Sequence, residues 1–247
     1  MISIEGLTKS YGKLAAVSDL SQKTRPGEIY GFLGPNGAGK TTTIKIIMGL
    51  LRPTSGAVTV CGHDVVRDAM NAKRSVGYIA DNPEPYERLT GREFLLTVSS
   101  LYGLRRSERK NAVANGLDLF DLGPWSDELV ESYSHGMKQK LMIASALLHS
   151  PKVLVADEPL VGLDPKSARR LRELFRTLAR EGRTIFLSTH ILEIAERLCD
   201  RVGIIVQGRL VAEGSVEELR TKLTAPGSNL EEIFLALTDE EMRRQSV

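Results

Sequence analysis

Cysteine is nearly missing from this chain of 247 residues: Cys61 and Cys199 stand far apart, without the spacing of a metal-binding pair. Two isolated thiols exclude a disulfide framework, and reduced cysteines in a cytosolic protein are the expectation. Long apolar runs are missing too. No uncharged stretch approaches the ~18 residues that a membrane-spanning helix needs, and the opening MISIEGLTKSYG lacks the apolar core of a secretory leader. Nor is there an excess of one charge. Thirty-three basic residues against 31 acidic ones leave a net +2, which argues neither for nor against nucleic acid. Any membrane role is therefore expected to come through a partner chain. The length suits one large α/β domain or two small ones, either able to bury a substantial core.

Against this plain background, residues 34–41 stand out as Gly-Pro-Asn-Gly-Ala-Gly-Lys-Thr. The pattern G-x-x-x-x-G-K-[ST] is a phosphate-binding loop. Gly34, Gly37 and Gly39 are expected to take positive φ, letting successive backbone N–H groups curl round an anion, with Pro35, Asn36 and Ala38 in the loop. Lys40 supplies a compact positive charge for β- and γ-phosphates, and the Thr41 hydroxyl, with Thr42 beside it, is placed to hold Mg²⁺. Context agrees: Glu28–Leu33 is an apolar run suited to a buried strand, and residues 40–50 read as the helix that the loop should open.

Along the rest of the chain, short β-like runs at Ile2–Ile4, Ala15–Leu20 and Glu28–Leu33 suggest an antiparallel flap beside a main sheet. Strands are expected at Ala57–Cys61 and Val76–Ala80, then an extended loop through Asp81–Pro85 imposed by two prolines. From Thr90 to Glu131 the pattern is helical, the mark of an inserted helical subdomain near residues 86–149. Val153–Ala156 and Thr184–Ser188 are apolar runs bounded by helices, as in a parallel sheet with crossovers. Residues 165–180 form an amphipathic helix whose Arg169, Arg172, Arg176 and Arg180 make a basic, solvated stripe. The charged last ten residues, 238–247, are expected to fray after a single domain over 1–237.

A second carboxylate motif completes the chemistry. Val153–Ala156 closes on Asp157 and Glu158. A buried strand ending there delivers Asp157 to the edge of a parallel sheet where open α/β folds bind ligands. An Mg²⁺ held by Thr41 needs such a hard oxygen partner. Glu158, one residue on, could orient or deprotonate an attacking water. Ser134 reads as a helix N-cap, with Gly136 beside it, before Met137, Leu141, Ala144 and Leu148 at helical spacing.

With both motifs in place, the chain from Ile2 to about Leu219 resembles the nucleotide-binding domain of an ABC ATPase. The family's LSGGQ signature stands here as Tyr133-Ser134-His135-Gly136-Met137, which keeps the two phosphate-contacting positions, Ser134 and Gly136, and changes the other three. The resemblance implies that Tyr11 stacks on adenine, that Asp164 in GLDP lies in a loop communicating across a dimer, and that His190 in LSTH contacts the γ-phosphate. It also implies that Asp81 replaces the usual Gln that touches Mg²⁺ and the transport partner. The implied fold is α/β, a P-loop NTPase core with an N-terminal antiparallel β part and an inserted helical subdomain.

The implied function is ATP hydrolysis powering separate transmembrane permease subunits. The working unit would be a head-to-tail pair with a second ATP-binding subunit, at the cytoplasmic face of the membrane, with ATP and Mg²⁺ as cofactors and no nucleic acid. YSHGM, DEPLVGLDP and Asn229–Phe234 look most like bacterial exporter-type ATPases. Two rivals stay open. A nucleic-acid-associated ABC ATPase would carry coiled coils or tandem cassettes, which this chain lacks. A nucleotide-sensing module that no longer hydrolyses is opposed by Glu158 and His190 but kept open by Asp81.

Overall fold

Three runs of five or six residues, Ile29–Leu33 (β3), Val153–Asp157 (β7) and Thr184–Thr189 (β8), are buried along their whole length. Burial on both faces is what the centre of a parallel sheet demands, and it explains why each run carries consecutive apolar residues rather than alternating ones, with polar residues at the ends of β7 and β8. In the computed structural model, which describes residues 1–223 and 230–244, they lie side by side in a six-stranded sheet. Its order is Arg209–Gly214 (β10), Arg201–Val206 (β9), β3, β8, β7 and Val76–Ile79 (β6). All neighbours pair in parallel except β9 and β10, which form an antiparallel hairpin. The pairing sets Leu33 against Thr189 and Asp157 against Ser188, so three strands end level at one edge.

A second sheet is wholly antiparallel, in the order Leu14–Lys23 (β2), Ile2–Tyr11 (β1), Ser55–Val60 (β4) and His63–Asp64 (β5). The expectation of an N-terminal antiparallel part holds, with one change of membership. β3 leaves it for the parallel sheet and β4 takes its place. β1 and β2 are also longer than the short runs suggested, because bulges break their period-two pattern. Gly6 and Asp19, both at positive φ, lie on the two strands where the register shifts.

Helix α1 (Lys40–Ile47) packs between the sheets through Ile44, Ile46 and Ile47, in a core shared with Phe32, Val155 and Phe186. A short helix, Ala69–Arg74 (α2), precedes β6. The inserted segment is helical as expected, with Gly91–Leu101 (α3), Arg106–Leu119 (α4) and His135–Leu147 (α5). Thr90 starts α3 with a capping box, its hydroxyl accepting from the Glu93 N–H while Glu93 accepts from the Thr90 N–H. Helix α6 (Pro165–Arg180) buries Leu171, Phe175 and Leu178 against the other side of the sheet and leaves its basic face outward.

A third core gathers Leu33, Val202 and Ile204 under Leu192–Leu198 (α7), Val216–Leu223 (α8) and Leu230–Arg244 (α9). α9 continues through Thr238 to Arg244, into the charged tail. Asn229 and residues 245–247 lie outside the described residues. Among the described residues, no helix is long and apolar enough to cross a membrane.

Candidate active site

The loop leaving β3 is held by close packing as much as by its own turns. Gly37 and Gly39 have φ of 80° and 106°, a region that glycine enters without a Cβ clash. Gly34 does not share it, which corrects the expectation of three positive-φ glycines. Its need is space, because a Cβ there would lie 2.3 Å from the carbonyl oxygen of Ile205 on β9. The β9–β10 turn holds the loop from the other side, where the Gly208 N–H donates to the Ala38 carbonyl at 2.9 Å.

Lys40 opens α1 and is buried. Its Nζ donates to the carbonyls of Gly34 at 2.7 Å and Pro35 at 3.1 Å, so the side chain folds back over the loop that precedes it. Burial lowers the pKa of this amine below the usual lysine range, opposed by the charges of Glu158 and Asp157. The cation therefore feels both carboxylates of the second motif. Thr41 is exposed on the first turn, whereas Thr43 turns inward and donates to the Gly39 carbonyl at 2.9 Å.

Asp157 ends β7 nearly fully buried and accepts a short hydrogen bond from the Ser188 hydroxyl of β8. Glu158 follows in a left-handed conformation, φ 47°, rare for a residue with a side chain. Its N–H donates to the Ser188 carbonyl at 3.2 Å. The turn brings its carboxylate over the end of β8. There it accepts from Thr189 Oγ1 at 3.0 Å and from the His190 backbone N–H at 2.9 Å, and His190 Nδ1 lies 2.7 Å away. Glu158 and His190, to which the resemblance gives separate roles, are thus in direct contact. Ser188 and Thr189 escaped the sequence reading: two hydroxyl residues stand immediately before His190, but their contacts with Asp157 and Glu158 follow from the β7–β8 register.

Asp81 is exposed just past the end of β6, as the expected loop required. Burial first, then the charges of Asp157 and Asp81, push the Tyr78 hydroxyl up to about 12. Both carboxylates therefore lie close enough to act on one phenol. Tyr11, at the end of β1, is half exposed, with Lys9 Nζ 5.2 Å from its ring centroid.

The signature residues form a second cluster. Ser134 caps α5, accepting from the Met137 N–H at 3.3 Å. Gly136 approaches Gly162 so closely that a Cβ would lie 3.2 Å from the Gly162 carbonyl. Asp164 caps α6, accepting from the Ser167 N–H at 2.9 Å and the Ser167 hydroxyl at 2.7 Å, and pairs with Lys140 of α5 at 2.8 Å. The Lys140 ammonium, then Ser167, hold its carboxyl well below the usual range. The signature turn and the GLDP loop are thereby tied together within one chain. Among the described residues, no hydrogen bond or ion pair joins this cluster to Lys40 or Glu158.

Comparison with known proteins gives the family. The ABC transporter family model matches residues 17–161. The bacitracin transport ATP-binding protein BcrA of Bacillus licheniformis is 42% identical, covering 90% of this chain and 72% of that one. The daunorubicin/doxorubicin resistance ATP-binding protein DrrA of Streptomyces peucetius is 38% identical over 99% of this chain and 73% of its own. A solved ATP-binding subunit of an ABC transporter superposes with a TM-score of 0.92 at 35% identity, covering 96% of this chain and 99% of the other. A bacterial ABC transporter cassette solved as a dimer superposes with a TM-score of 0.81 at 25% identity, covering 87% and 98%. With the family model over residues 17–161 and relatives at 38–42% identity across most of its length, this chain is a member of the ABC transporter family, one of its ATP-binding subunits and an ATPase.

Proposed function

We propose that this subunit hydrolyses Mg·ATP to drive export through separate membrane subunits, as one ABC ATPase domain over residues 1–237 with its helical insertion at 86–149. The observation that carries the reading is the Glu158 carboxylate, held at the sheet edge by Thr189 and His190 and electrostatically coupled to Lys40. Residues Gly34–Thr42 bind the phosphates, Lys40 lies against the β- and γ-positions, and Tyr11 offers a ring face to adenine. Glu158 takes a proton from the attacking water, and His190 supplies a donor to the charge on the transferring phosphoryl group.

The donor set suits Mg²⁺. The Thr41 hydroxyl and the Asp157 carboxylate are hard oxygens, and Asp81 adds a third from the neighbouring strand end. Among the described residues, no cluster of three or more acidic, histidine or cysteine side chains forms a protein-only cage. That fits an ion held by one or two carboxylates with substrate phosphates completing its shell. When bound, the ion would neutralise charge on the phosphates.

Two subunits, identical or different, would close head to tail so that Ser134 and Gly136 of one meet the nucleotide on the other, with Asp164 at the contact. The unit would lie at the cytoplasmic face of the membrane, against the permease subunits. Relatives named for bacitracin transport, linearmycin resistance and daunorubicin/doxorubicin resistance support export.

Reconstitution with the membrane subunits tests the coupling. We expect those subunits to raise the ATPase rate, and Asp81→Ala to reduce that stimulation while leaving ATP affinity within a few-fold. Equal stimulation of the variant would make Asp81 a solvated loop acid. No stimulation of the native chain would contradict the transporter reading.

A further inference from the structure

Ser188 and Thr189, the last two residues of β8, and His190 just beyond them meet the two carboxylates at the end of β7. Register pairs Asp157 with Ser188, whose hydroxyl bonds Asp157. The next side chain along β8 points to the opposite face of the strand. It is Thr189, which meets Glu158 after the left-handed turn has swung that carboxylate across. The direction of the Thr189 bond follows from its partners. The Ile191 N–H donates to Thr189 Oγ1 at 3.1 Å, so the hydroxyl is already an acceptor there. A carboxylate only accepts, so the hydroxyl proton goes to Glu158 Oε2.

An ionised carboxylate has about four acceptor positions, two on each oxygen. His190 takes both on Oε1, through its backbone N–H and Nδ1. Thr189 takes one on Oε2. The remaining acceptor position is also on Oε2, with no donor among the described residues. The Glu158 side chain is only 12% exposed, so approach to that oxygen is narrow. We propose that Thr189 is a positioning residue for ATP hydrolysis: its hydroxyl fixes the rotation of the Glu158 carboxylate and leaves one lone pair of Oε2 for the attacking water. The inference rests on the reading of Glu158 as the group that activates water.

Thr189→Val removes the hydroxyl and keeps the β-branched shape, and Thr189→Ser restores the hydroxyl alone. Steady-state ATPase kinetics and ATP affinity would be measured for both, with Glu158→Gln alone and combined with Thr189→Val. A misplaced catalytic group typically costs on the order of 100-fold in rate. We expect Thr189→Val to lower kcat by roughly 10- to 100-fold with KM for ATP within about threefold. Thr189→Ser should return within about threefold of the native rate. The double variant should be no slower than Glu158→Gln, because Thr189 acts through Glu158.

A native kcat in Thr189→Val, with Glu158→Gln inactive, would overturn the positioning role and leave the base assignment intact. An additive loss in the double variant, or a loss of ATP affinity that parallels the loss of rate, would overturn it by making Thr189 a residue of the fold. An active Glu158→Gln would instead remove the reading on which the inference rests.

Discussion

At Lys40, burial and charge act in opposite directions. Removal from water disfavours the ammonium, while Glu158 and Asp157 favour it, and two loop carbonyls hold it in place. A phosphate binding there would meet a cation already oriented, so little ordering remains to oppose binding. Lys40→Ala removes the charge and leaves the Gly34 and Pro35 carbonyls without that donor. A hydrogen bond to a charged group is worth about 1.5–3 kcal/mol, or roughly 10- to 150-fold in affinity. We expect calorimetry to show a loss of at least that size. Affinity within about twofold of native would remove Lys40 from the phosphate site.

Glu158 poses a different problem at the same scale. Its left-handed backbone costs on the order of 1 kcal/mol or more, and the surrounding hydrogen bonds to Ser188, Thr189 and His190 hold it there. Strain held by polar contacts at a strand end is where function and fold compete, and here it turns a carboxylate across a strand boundary.

Among the elements, the junction of β3, its loop and α1 carries the site, and it shows what sequence can and cannot reveal. The loop, the buried run before it and the Asp157–Glu158 edge were legible because each is a local pattern: a glycine spacing or an apolar run that ends in acids. The role of Gly34 was not legible, since it depends on Ile205, more than 170 residues away. Nor was the exchange of β3 and β4 between sheets, because hydrophobic pattern marks a strand but not its partner. The Ser188 and Thr189 contacts needed the β7–β8 register, which only the fold supplies. At the charged end of the chain, composition did not mark the helix that α9 continues through Arg244.

Gly34→Ala tests the packing at this junction. A methyl group would meet the Ile205 carbonyl at 2.3 Å, and backbone cannot yield as a flexible side-chain tip does. Either the loop moves off β9 or the sheet edge opens. We expect ATP affinity to fall at least about tenfold and the protein to lose about 1–3 kcal/mol in denaturant unfolding. An unchanged Cm together with unchanged affinity would show that the loop does not depend on that close approach.

For the whole molecule, the proposed head-to-tail pair makes the two clusters of one chain halves of a shared site. Lys40, Asp157, Glu158 and His190 gather at one place, while Ser134, Gly136 and Asp164 are tied to one another elsewhere through Gly162 and Lys140. Among the described residues no hydrogen bond or ion pair connects the two groups; in the proposed head-to-tail pair the second would close on a neighbour's nucleotide. The cassette solved as a dimer shares this fold across 87% of the chain.

Glu158→Gln tests water activation and pairing together. The amide keeps the size of the carboxylate and removes its charge, so binding should survive while proton abstraction fails. General-base catalysis contributes about 10²–10⁴-fold. Sizing chromatography with light scattering, run beside an ATPase assay, should find the variant binding ATP near native affinity and hydrolysing it at least ~100-fold more slowly. It should elute as a dimer with Mg·ATP and as a monomer with ADP. Native-like hydrolysis by Glu158→Gln, or a monomer in the presence of slowly hydrolysed Mg·ATP, would contradict the assignment of Glu158 at the centre of a two-subunit ATPase.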